Sequence, residues 1–233
     1  NLVFDWCYNI FNLIFTSVVV TSVILLIHSF YGEYITIDNY NIINNLNPIF
    51  SFFIIFVIQD FLRYISHLLR HKIKWLWYFH SIHHSQKELN LASTFRVHPF
   101  EAISSTIITG LPVGIIGAEP TPWILAGLTS LFWDCLIHAP VKINLGVLGK
   151  LFVSPQFHRI HHSIEPHHFD KNFGERLVIW DVIFRTNYKN FGEFPKTGVP
   201  FNIPDVGKNR NAPLFITWIK QFVFPFKKIL RDI

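Results

Sequence analysis

Residues 48–71, PIFSFFIIFVIQDFLRYISHLLRH, decide the fold. The first half of this stretch is apolar and uncharged. The second half carries Asp60 and Arg63 and then two histidines four residues apart, His67 and His71. The segment 46–65, with PIFSFFIIFVI at its heart, is long enough for a hydrocarbon core of about 30 Å, which takes roughly 20 helical residues. Side chains three and four apart share a helix face. One helix is therefore expected to enter a bilayer and to present two imidazoles side by side at its end.

Working outward, three more apolar segments read as membrane-spanning. Residues 11–31 contain TSVVVTSVILLI, and the shorter segments 100–118 and 121–138 are joined by the turn Glu119-Pro120-Thr121-Pro122. The alternative for the short pair is a hairpin buried in a soluble fold. Composition agrees with a membrane protein: half of the 233 residues are hydrophobic and 15% are charged, against about 25% in soluble domains. The expected fold is an all-α membrane protein, with about four transmembrane helices, a cytoplasmic histidine-rich helical cap and one domain over 1–233. The chain begins at Asn1 and has no Met, so a trimmed or incomplete N-terminus is expected. There is no signal-peptide pattern. Cys7 and Cys135 suit neither a disulfide framework nor a zinc–thiolate site.

Charge sets the orientation, because Lys and Arg accumulate on the cytoplasmic side. The loop 32–45 and the turn at Glu119 carry acidic residues and no Lys or Arg. All 20 basic residues fall on one side of a four-span arrangement whose two ends are cytoplasmic. The tail 214–233 spaces Phe215, Trp218, Phe222, Phe226 and Ile229 at near-helical intervals among basic residues. It reads as a helix in the headgroup region, kinked or split by Pro225, or as a helix packed on the cytoplasmic domain.

The histidines share the basic side, apart from His28, which reads as an interfacial residue. His80, His83 and His84 (HSIHH) repeat the spacing of His158, His161 and His162 (HRIHH), and His138 ends the fourth segment. With His67 and His71 they supply more imidazoles than one ion accepts, since an ion takes about four to six ligands. Two ions are therefore expected. His98, His167 and His168 are further candidates. Imidazole suits iron, zinc, copper and nickel, whereas magnesium and calcium prefer oxygen. Heme would use only one or two of these residues. Ser81 and Arg159 stand where the Glu of a zinc-protease HExxH motif would be.

On these residues the sequence resembles the fatty acid hydroxylase/sterol desaturase superfamily. The landmarks are DFLRYISHLLRH (60–71), LWYFHSIHHS (76–85), RVHPFE (96–101), His138, PQFHRIHHS (155–163), DKNFG (170–174) and Trp180-Asp181. Ile65 and Leu68 replace a usual Trp and Arg at the first box, and WDVIFRT replaces WDxxFGT, with Arg185 where Gly is usual. The resemblance implies a non-heme centre of two iron ions on the cytoplasmic face, with zinc a possible occupant by ligand type. It implies use of O2 and of electrons from an external soluble or membrane donor protein, and a membrane lipid as substrate. Its implied ligands are His67, His71, His80, His83, His84, His138, His158, His161 and His162. No nucleic-acid partner is expected, and the oligomeric state is open.

The expected reaction is hydroxylation of a fatty acyl chain or sterol-like lipid. The alternatives are desaturation or ether-lipid oxidation on the same scaffold. A membrane metal transporter is a remote alternative, because no carboxylate or histidine lies at mid-depth in segment one. Asp60 and Asp134 are expected to accept hydrogen bonds from ligand ring N–H groups, or else to pair with an arginine such as Arg63. Asp170 and Asn172 are candidates for the same supporting role.

Overall fold

The computed structural model describes residues 2–31, 46–116, 120–204 and 213–232. The loop 32–45, the turn residues 117–119 and the side chain of His28 lie outside the described residues. Among those described, the chain is all-helical with no strand, and two isolated bridges join Phe152 to Leu177 and Ser163 to Thr197. The helices are α1 (Leu2–Tyr31), α2 (Pro48–Lys72), α3 (Lys74–His84), α4 (Pro99–Ile116), α5 (Pro120–Ile137), α6 (Pro155–His161), α7 (Ile179–Ile183) and α8 (Leu214–Arg231).

Helix α2 is the hub, packing on α3, α4 and α5. It starts where the Asn47 side chain accepts from the Ile49 N–H at 2.9 Å, with Pro48 in the first turn. It continues past the expected boundary at residue 65 to Lys72, so the apolar stretch and the first histidine pair lie on one helix. Ile73, at φ −98° and ψ 112°, breaks it, and α3 departs from the next residue. Among the described residues α2 is the helix long and apolar enough to cross a membrane, and a shorter apolar stretch runs over Thr121–Ile137.

In its first three turns helix α1 buries polar residues and exposes apolar ones. Asp5, Asn9 and Asn12 are buried on one stripe, whereas Ile10, Leu13 and Ile14 are exposed. The stripe holds the segment before α4. Asp5 pairs with Arg96 at 3.1 Å, Asn9 donates to Ala92 O at 3.0 Å, and Asn12 donates to Val97 O. Helices α2 and α5 likewise expose Phe50, Phe53, Leu128 and Phe132 while burying Ser51 and Ser130.

Helix α8 packs against α1 and α3 and runs through Pro225 as one helix. Phe215 and Trp218 meet Phe11, with centroids 5.6 and 5.7 Å apart, and Phe226 meets Phe79 at 5.2 Å. Beneath α2 and α5, Ile137, Val153, Phe157 and Val178 form a small apolar core that seats α6. Gly174 is required there: a Cβ would lie 2.7 Å from Asp181 Oδ2 and 2.8 Å from Leu177 O.

Candidate metal centre

The histidines arrive on four elements. His67 and His71 come from the last turns of α2, and His80, His83 and His84 from α3. His138 directly follows α5. His158, His161 and His162 come from α6 and its C-terminal cap, on a helix started by the Ser154 side chain accepting from Phe157 N–H at 3.1 Å. They form two groups in which the ligand atoms lie within 4.8 Å of one another. The first holds His67, His71, His80, His84 and His161, and the second holds His83, His138, His158 and His162. All nine are buried except His71, which is half-buried.

Each HxxHH triplet is divided between the groups. At about 100° per residue, positions i and i+4 lie about 40° apart, while i+3 is turned to the other side. His80 and His84 thus join the first group and His83 the second. On α6 the roles reverse, with His158 and His162 in the second group and His161 in the first. The expectation that each triplet points along one stripe is corrected by this geometry. The exchange places the groups side by side, and the His84 and His162 rings stack across the junction with centroids 4.2 Å apart.

Tautomers follow from the outer ring nitrogens. Nδ1 of His67, His138 and His161 lies 2.9, 2.7 and 2.9 Å from the carbonyl oxygens of Phe173, Asp134 and Lys171, and Nδ1 of His80 lies 2.7 Å from Glu101 Oε1. Only a ring N–H can satisfy these acceptors, which leaves Nε2 as an inward lone pair. Nε2 atoms then face one another at 3.0–3.2 Å in the pairs His80–His84, His84–His161, His83–His138, His138–His158 and His158–His162. Nε2 of His67 and of His71 is buried with no hydrogen-bond partner among the described residues. Converging, buried lone pairs repel unless a cation lies between them, so the donor set fits imidazole-binding metal ions.

Electrostatics favour the neutral, ligating form. Burial pushes the imidazole of His161 down to about 4, and burial followed by neighbouring imidazoles pushes those of His84, His158 and His162 well below the ordinary histidine value. Burial alone would raise the Glu175 carboxyl, but the Arg63 and Arg176 guanidiniums override it and hold the group well below the usual carboxylate range.

Of the two roles expected for Asp60 and Asp134, the structure shows pairing with arginine and not acceptance from a ligand ring N–H. Asp60 accepts from Trp180 Nε1 at 2.8 Å and Leu177 N–H at 3.2 Å, and Asp134 is held by Arg63 at 2.9 Å and Arg176 at 3.1 Å. Neither side chain takes a histidine N–H, because Arg63 and Arg176 occupy the space beside them. For Asp134 it is the backbone carbonyl that meets His138. Asp170 is exposed and pairs with Lys72 at 2.7 Å. Asn172 is buried, donating to Phe157 O at 3.0 Å and accepting from Tyr188 N–H at 2.7 Å, and so braces α6.

Glu101 and Glu175 are supporting groups not singled out from the sequence. Glu101 holds His80 and also accepts from Arg70 at 3.1 Å. Glu175 Oε1 lies 3.7 Å from His67 Nδ1. Glu101 lies inside the RVHPFE landmark and Glu175 directly follows DKNFG, which is the signal that could have found them.

His98, His167 and His168 lie outside both groups. His98 caps α4, its Nδ1 accepting from Phe100 N–H at 3.0 Å while Nε2 donates to Phe222 O at 3.0 Å. His167 and His168 gather around Glu193. A cavity of about 220 Å³ reaches the two groups from between α2, α4 and α5, past Ala102, Ser105, Thr106 and Asp134.

A family model described as fatty acid hydroxylase matches residues 52–186. The chain is 34% identical over 130 residues to ornithine lipid hydroxylase OlsE of Rhizobium tropici, covering 56% of this chain and 39% of that protein. It is 30% identical over 150 residues to alkylglycerol monooxygenase of Homo sapiens, covering 64% of this chain and 33% of that enzyme. It is 23% identical over 124 residues to cholesterol 25-hydroxylase of Homo sapiens, covering 53% and 46%. In each case the match spans less than half of the relative's length. No solved structure matches.

Proposed function

The chain belongs to the fatty acid hydroxylase family, and from that premise we propose that it is a multi-pass membrane oxidoreductase that hydroxylates a lipid at two iron ions held by its nine grouped histidines. The observation that carries this reading is the division of those imidazoles into adjacent groups of five and four, with Nε2 turned inward. A pair of irons bound there would supply oxidation by O2 with two electrons and two protons from outside, one oxygen atom entering a C–H bond and the other leaving as water. Zinc would fit the same imidazoles but lacks redox chemistry.

The protein's own part is positioning. Backbone carbonyls and Glu101 fix four of the ring tautomers and raise the basicity of the inward nitrogens. Arg63, Arg70 and Arg176 pair with Glu101, Asp134 and Glu175, so the charged wall of the cavity is internally neutralised. At about 220 Å³ the cavity is smaller than the roughly 300–1,000 Å³ of sites that enclose a drug-sized ligand. It admits the reacting segment of a lipid while the rest stays in the bilayer. The exposed apolar faces of α1, α2 and α5 lie against acyl chains, α4 completes a four-span bundle, and the basic side with the histidines faces the cytoplasm. Electrons arrive there from a soluble or membrane donor protein.

Ether-lipid oxidation is the second reading, favoured by the similarity to alkylglycerol monooxygenases. Lipid mass spectrometry of a heterologous host tests both. The intact chain is expected to yield lipids heavier by one oxygen, and His83→Ala and His161→Ala to yield none. Cleaved ether lipids would select the second reading. Lipids lacking two hydrogens with no oxygen gain would contradict both.

A further inference from the structure

We propose that His167, His168 and Glu193 form a separate mononuclear site for a divalent cation of the zinc class, outside the two histidine groups. Their ligand atoms lie within 4.8 Å of one another. Glu193 Oε2 is 2.9 Å from His168 Nε2 and 3.5 Å from His167 Nε2. Donors placed about 2.0–2.2 Å from a tetrahedral zinc are themselves about 3.3–3.6 Å apart, so small shifts bring all three atoms onto one ion.

The site is built rather than chance proximity of surface groups. Glu193 is anchored through its other oxygen, which accepts from Tyr188 OH at 2.8 Å and Asn190 Nδ2 at 2.7 Å, leaving Oε2 for the imidazoles. The His168 side chain is fully buried, stands edge-on to the Tyr188 ring at 4.6 Å, and has Nδ1 2.9 Å from Ser163 Oγ. Ser163 Oγ already accepts from Glu165 N–H at 3.0 Å and has a second lone pair for His168 Nδ1–H. That tautomer frees Nε2 to ligate. His167 is mostly exposed, so water reaches the remaining coordination position.

Two imidazoles and one carboxylate form a three-protein-ligand set with an open place, which suits zinc, cobalt or nickel over calcium or magnesium. The ligands come from the turn Pro166–His168 and from the loop carrying Glu193. A bound ion therefore ties the segment that follows His162 to that loop. Without an ion, the proton sits on Nε2 of His168 instead, which donates to Glu193 Oε2.

Metal content decides between these states. The full chain is purified in detergent, equilibrated with zinc and dialysed, and zinc per chain is measured for the wild type, His167→Ala and Glu193→Gln. His167 is at the surface, and Glu193→Gln keeps the anchoring oxygen, so both variants fold. The expected result is one zinc fewer per chain in each variant, whatever number the two histidine groups retain. Adding His167→Ala to His83→Ala is expected to remove one further zinc, which separates this site from the proposed dinuclear centre. Equal zinc in the wild type and both variants overturns the proposal, as does equal zinc in His83→Ala and the double variant.

Discussion

At the scale of single residues, one departure from the family pattern carries a conformational cost. Arg185 stands where Gly is usual, and its φ of 59° lies in the left-handed region. A side chain there costs about 1–2 kcal/mol, of which Gly returns part through its larger unfolded entropy. Arg185→Gly is expected to stabilise the protein by about 0.5–1 kcal/mol, read as a higher thermal midpoint in detergent. An unchanged or lower midpoint contradicts the account of this turn. Eight of the nine grouped histidines are legible from spacing, which implies an excess of imidazoles over one ion, and His138 from the family resemblance; the division of each triplet between the two groups is not. The carboxylate partners are not. Asp134 is committed to Arg176, which is 42 residues away, and Glu101 to His80 across a helix junction, pairings that no local period encodes.

At the scale of elements, α2 shows why boundaries misread. Hydropathy falls after residue 65, yet the helix continues to Lys72 because Ser66, His67 and Arg70 are buried against partners rather than solvated. Helix α1 is a similar case: it starts at Leu2 rather than at residue 11, and its buried Asp5, Asn9 and Asn12 fasten it to the segment before α4. Breaking a buried ion pair by removing one partner costs about 3–5 kcal/mol, whereas exposed pairs contribute about 0–1 kcal/mol. Asp5→Ala, which strips the carboxylate from buried Arg96, is expected to destabilise by about 3–5 kcal/mol. Asp170→Ala, at the exposed pair with Lys72, is expected to cost less than about 1 kcal/mol. Similar losses in thermal midpoint for the two variants would contradict the stapling role of α1.

At the scale of the whole molecule, burying so many neutral imidazoles together makes the metal-free protein acid-sensitive. A histidine whose folded value is depressed, as for His161 from 6.5 to about 4, takes up protons preferentially when unfolded. Its stabilising contribution is complete above 6.5 and is lost as pH falls from 6.5 towards 4. Several of its neighbours shift in the same direction. The unfolding midpoint of metal-free protein is therefore expected to be level above 6.5 and to drop steeply below it. A midpoint that rises on acidification would contradict this. The all-helical, apolar character of the molecule is legible from hydropathy. The side-by-side placement of the two groups is not, because it depends on the bend at Ile73 and on α6 docking beneath α5.

In the proposed centre each HxxHH triplet is shared between two adjacent metal ions. Anomalous diffraction from crystals of the iron-loaded protein, recorded at the iron absorption edge, locates them. One iron is expected among His67, His71, His80, His84 and His161, and a second among His83, His138, His158 and His162. A single iron serving both groups, or irons lying away from these side chains, would contradict it.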